Sequence, residues 1–180
     1  MSFQILEKYL PENCNHFLKD WFSDYSIHIK ITKNRHSKLG DYRKLPDLSQ
    51  QITINSTLDT DLFFFVLTHE LAHLIAFEKY GRGIKAHGYE WKTTFGEMIN
   101  QSLMVYKTEL QPILSKFSKS PKANFMSRHD LVRYFNADNL DDDTSFIENL
   151  DIGSLFVYKE ERYKIEEKRK KLYLCFNYTN

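Results

Sequence analysis

Hydrophobic and polar positions alternate over residues 27–32, where Ile27, Ile29 and Ile31 interleave with His28, Lys30 and Thr32. A period of two predicts a half-buried strand. Residues 51–55 repeat it, and residues 38–43 read as a turn entering another extended piece. Residues 3–24 carry a helical pattern broken at Pro11, with Pro11-Glu12 suited to a first helical turn. From Asp59 or Thr60 to Tyr80 the chain is apolar nearly all round, with Gly81 as a stop signal. A helix without a polar face is expected inside the core. A further helix starts near Glu90, its stripe marked by Trp91, Phe95, Met98, Ile99 and Leu103.

Beyond Val105 the pattern weakens. Pro112 opens a short helix, and residues 118–126 read as a linker. Ser127 to Asp130 resembles a capping box, predicting a helix over 128–136. Residues 138–148, rich in acids, read as a solvated loop. Residues 155–158 and 162–165 predict a hairpin, with 171–176 as a third strand. The expected fold is α+β: residues 1–120 form the main domain and 121–180 a small helix and hairpin region.

Composition narrows the class. Apolar residues make up 42% and charged residues 27%, so a globular chain is expected. The net charge is +1, so nucleic-acid binding would need a local patch. Two cysteines cannot build a four-cysteine zinc site. The first eight residues carry no apolar stretch of signal-peptide length, and no apolar run approaches the roughly 20 residues of a membrane helix. A cytoplasmic location without a membrane partner is the expectation.

The chemistry concentrates at Thr68-His69-Glu70-Leu71-Ala72-His73. On a helix, positions i and i+4 share a face, so His69 and His73 can hold one ion, and neutral imidazoles at that spacing suit zinc. Glu70 sits beside the ion's open position as a candidate base. With 7 histidines in 180 residues, chance supplies this motif roughly 0.02 times per chain. A catalytic zinc needs a third protein ligand. The pattern that adds Gly and then His at steps of three fails, because those positions hold Ala76 and Lys79. His87, in a glycine-bearing loop before the Trp91 helix, is the best candidate.

His69 to His73 together with His87-Gly88-Tyr89-Glu90-Trp91 resembles the SprT-like family of zinc metalloproteases. Arg35 to Tyr42 followed by Ile52-Thr53-Ile54-Asn55 resembles that family's strand, Leu-Gly turn and strand before the metal helix. The resemblance covers residues 25 to about 104 and implies a zincin-like fold, with the metal helix packed on a small sheet. It implies His69, His73 and His87 as ligands of one Zn²⁺, Glu70 as general base and acid, and protein or peptide as substrate. It further implies digestion of proteins attached to DNA, as in DNA–protein crosslink repair. Many members end in a four-cysteine zinc ribbon. Here that region holds only Cys175, so no ribbon is expected.

Weaker signals stand beside these. Lys30, Lys33, Arg35, Lys38, Arg43 and Lys44 form a basic stripe that reads either as phosphate contacts or, preferably, as a solvated strand edge. Tyr89 is a candidate oxyanion donor and Glu90 a candidate partner for a ligand imidazole, though packing for Tyr89 and the helix dipole for Glu90 are the preferred readings. Trp91 is expected in the core. His16, His28, His36 and His129 read as surface or satisfied histidines, and Cys14 as an inert thiol. Two function classes remain open: a zinc endopeptidase, or a nucleic-acid-associated binding protein with a zinc site and little turnover. A purely structural metal site would need a fourth ligand, and none is evident.

Overall fold

The alternating segments pair as neighbours. Strands β1 (Ile27–Thr32), β2 (Gly40–Lys44) and β3 (Gln50–Asn55) form a sheet of order β1-β3-β2. β3 runs parallel to β1 and antiparallel to β2, with Ile52 opposite both Ile29 and Tyr42. Central β3 buries Ile52 and Ile54 completely, whereas β1 keeps the half-buried alternation its sequence predicts.

The computed structural model describes residues 6–35, 38–136, 147–170 and 172–179. Expectations for residues 3–5, His36, the loop over 138–146 and Lys171 lie outside the described residues. The helical pattern expected over 3–24 with a break at Pro11 is realised as helical residues Leu6 and Glu7 before the proline and as α1, Asn15–Phe22, after it. Pro11 and Glu12 precede it in turns, where Asn13 takes φ 62°, a conformation asparagine tolerates better than most residues.

Helix α2 (Thr60–Tyr80) is the centre of the fold. Asp59 caps it, accepting from the Leu62 N–H at 3.0 Å, and Gly81 ends it at φ 80°. Its apolar circumference is buried from Phe63 through Leu74. By length and apolarity α2 could cross a membrane, but most of it is buried inside the protein. Such a helix is the core element of a layered fold. Helix α3 (Tyr89–Gln101) lies against it, burying Trp91, Phe95, Met98 and Ile99 as predicted. Helix α4 (Gln111–Ser118) packs on α3 through Gly96, where a Cβ would stand 2.4 Å from the Ser118 carbonyl oxygen.

The segment 118–126 has a linker's composition but does not behave as one. Phe125 is buried, and Phe65 packs against it at 4.9 Å between ring centroids. Helix α5 (His129–Phe135) follows. Ser127 does not cap it, because its hydroxyl donates to the Asn124 carbonyl at 2.7 Å. Chain contacts divide the molecule into Met1–Phe135 and Asn136–Asn180. Phe125, Leu131 and Phe135, beyond the boundary expected after residue 120, lie in the first unit's core.

The second unit is an antiparallel sheet of β4 (Leu155–Tyr158), β5 (Glu161–Arg169) and β6 (Leu172–Asn177), in that order. Lys159 and Glu160 turn β4 into β5 with φ 51° and 69°. A bulge between Ile165 and Glu167 shifts the β5–β6 register.

Candidate metal centre

His69 and His73 lie one turn apart on the face of α2 that looks toward β2 and the loop before α3. Both are buried, at 9% and 7% exposure. The loop over 82–88 returns the chain across that face and brings His87 to them, with ring centroids 5.5 Å from His69 and 4.6 Å from His73. One donor atom from each of the three histidines falls within 4.8 Å of the others. Two donors therefore ride on a rigid helix, and the third comes from an exposed loop.

Trp91 fixes this arrangement. Its ring contacts all three imidazoles, at 4.8 Å from His69, 5.2 Å from His73 and 4.6 Å from His87. Its indole N–H donates to the His69 carbonyl at 3.4 Å. Trp91 is core, as expected, and it is also the wall behind the donors. Its position four residues after His87, in the first turn of α3, was the signal that could have revealed this.

Electrostatics favour metal over protons. Burial pushes His69 down to about 3, with His73 and His87 adding repulsion. Burial also lowers His73 to about 4, with His87 adding repulsion and the Ala86 backbone opposing the shift. His87 is lowered too, by burial and then by Lys92. All three imidazoles are thus neutral at pH 7, the form that ligates metal. His69 Nδ1 is buried without a hydrogen-bond partner in the protein. Buried polar atoms are rarely left unpaired, and a metal ion is one partner such a nitrogen accepts. Three neutral nitrogens, with that orphaned atom among their rings, fit a divalent ion of the zinc class.

Glu70 is buried beside the donors. From the protein's own groups, burial pushes its carboxyl up to about 8, and Asp41 adds repulsion. The Tyr42 backbone N–H, then Lys38 and Arg35, pull in the opposite direction. A nearby cation would favour the carboxylate. β2 reaches Glu70 because Gly40 has no side chain: a Cβ there would lie 2.6 Å from Val66 Cγ1 and 2.8 Å from Glu70 Oε1.

These groups line a cleft of about 780 Å³. Gly40 and Tyr42 of β2 form one wall, and Asn124 and Phe125 of the supposed linker contribute to another. The Tyr42 ring stacks over His73 at 6.4 Å, and its hydroxyl donates to Gln50 at 2.9 Å. Sequence reasoning did not single out Tyr42 or Asn124.

The weaker candidates fall elsewhere. Tyr89 is 79% exposed and does not line the cleft. Glu90 is half-buried at the start of α3, with its carboxylate beside Gly88. Four of the six stripe cations are engaged within the chain. Arg35 bonds Asn55 and Thr53, Lys38 and Arg43 share Asp41, and Lys44 pairs with Glu78. Lys30 and Lys33 are exposed. His16, His28 and His129 are exposed and lie outside the three-histidine group. Cys14 is buried, and burial raises its thiol to about 11, which keeps it unreactive.

A family model described as the SprT-like family matches residues 8–112. No curated protein and no solved structure matches the chain.

Proposed function

The chain belongs to the SprT-like family, and from that premise we propose that it is a zinc-dependent endopeptidase. The observation that carries this reading is the convergence of His69, His73 and His87 within 4.8 Å, beside a buried Glu70 in an open cleft. His69, His73 and His87 would hold the ion. Bound there, zinc would supply Lewis acidity toward a carbonyl and lower the pKa of a water molecule.

The chain's own residues do the rest. Glu70 accepts the water proton and returns it to the leaving amine, as a general base and then an acid. Glu70 lies against β2, its Oε1 2.8 Å from where a Cβ on Gly40 would stand. Trp91 backs all three imidazoles. Protein attached to DNA is the substrate class the family suggests. The basic stripe lends that part little support, because most of its cations already have partners.

Two variants test the reading. His87→Ala should lose zinc by elemental analysis, where the wild type holds about one ion per chain. Glu70→Gln should keep the zinc while peptide cleavage falls by about 10²–10⁴-fold. Full cleavage by Glu70→Gln would remove the assigned base. Absence of zinc from the wild type after reconstitution would remove the whole assignment.

A further inference from the structure

The C-terminal sheet has two apolar faces, which a small sheet with one solvent side does not need. On one face Phe156 stacks on Tyr163 at 5.5 Å and Ile165 is fully buried. The other face is set by register: Leu155 opposes Lys164, Val157 opposes Arg162, and Lys164 opposes Phe176. Its apolar members are open to solvent, with Leu155 71%, Val157 66%, Phe176 51% and Tyr178 54% exposed. Leu155, Val157, Arg162, Lys164 and Tyr178 line a groove of about 580 Å³ on this face.

The two cations set the chemistry of what fits. Among the described residues, neither Arg162 nor Lys164 has an acidic partner, whereas Arg169 on the same strand pairs with Glu167 at 2.9 Å. A cation held among apolar side chains is complemented by an anion that brings its own apolar surface. A nucleic-acid strand meets this poorly. Residues 147–180 carry six acids against seven bases, so the sheet offers no surplus field for a polyanion. The exposed groove residues of β4, Leu155 and Val157, are aliphatic, and Tyr178 is the exposed ring beside them, a lining that suits side chains better than a run of stacked bases. β4 is also an edge strand, able to accept an extended segment along its backbone.

We propose that this groove docks an extended, acidic and hydrophobic segment of a partner protein. Apolar side chains of the segment cover Leu155 and Val157, and its carboxylates pair with Arg162 and Lys164. The groove shares no residue with the metal centre, so the proposal stands or falls independently of the peptidase reading.

The test uses the full chain carrying Glu70→Gln, so that a peptide probe survives. Fluorescence anisotropy would follow a labelled peptide alternating Val with Asp, its Val–Lys counterpart, and a labelled oligothymidylate. The Val–Asp peptide should bind best. Arg162→Glu with Lys164→Glu should weaken it by about tenfold or more and improve the Val–Lys peptide. Val157→Ser should weaken the Val–Asp peptide with the charges intact. Equal binding of the two peptides, or indifference to both sets of substitutions, would overturn the proposal. So would failure of every probe to bind. Salt-sensitive capture of the oligothymidylate alone, lost with Arg162 and Lys164, would overturn it in favour of nucleic acid.

Discussion

Glu70 and the histidines pull the protein's pH response in opposite directions. A carboxyl raised from 4.5 to about 8 by burial binds a proton in the folded state that the unfolded chain has released. Stability from this group is full below 4.5 and is lost as pH rises toward about 8. His69 and His73 are depressed from 6.5 to about 3 and about 4, so the unfolded chain takes up the extra protons. Their contribution is full above 6.5 and is lost as pH falls through the folded values. Between 6.5 and about 8 the Glu70 effect stands alone. In chelator-stripped protein the wild-type Tm should fall across that window, and the fall should shrink in Glu70→Gln. Parallel slopes in the two proteins would show that Glu70 does not titrate there.

At the scale of elements, the close approach of β2 to α2 is decisive, and Gly40 permits it. Gly40→Ala would force a Cβ against Val66 and Glu70. The expected cost is about 1–3 kcal/mol by denaturant unfolding, as for other overpacked sites, with a drop in peptide cleavage because Glu70 is displaced. Gly83→Ala is the control, since nothing lies within 4 Å of its new atom. Unchanged unfolding in Gly40→Ala would mean that β2 can back away from the helix. Little of this contact was readable beforehand. The caps of α2, its apolar circumference and the shared face of His69 and His73 follow from local rules, and the structure places His87 beside them. A strand-to-helix approach is a long-range fact, and the turn before β2 shows only that a glycine is there. The wall formed by Asn124 and Phe125 was hidden for a related reason. Its neighbours are polar and proline-bearing, and only one aromatic ring ties the segment to the core. Alternation predicted the C-terminal strands but cannot say which of two apolar faces is covered.

At the scale of the whole molecule, the division at 135 is itself open to test. A fragment ending at Phe135 should unfold cooperatively and retain the metal site, because it keeps the rings packed on Phe65. A fragment ending at residue 120 loses Phe125, Leu131 and Phe135 from the core. It should be less stable by several kcal/mol, given about 3–5 kcal/mol for deleting even one large buried ring. Equal melting of the two fragments would restore the earlier boundary. The aromatic cluster also has a direction in time. Phe65 lies on the helix that carries the donors, and the four rings packed on it, Phe95, Phe117, Phe125 and Phe135, all come later in the chain. A ribosome therefore releases the most apolar helix long before it releases the residues that cover it. During that interval the helix exposes apolar surface that favours aggregation, and the three-histidine group cannot form until His87 and Trp91 have followed it.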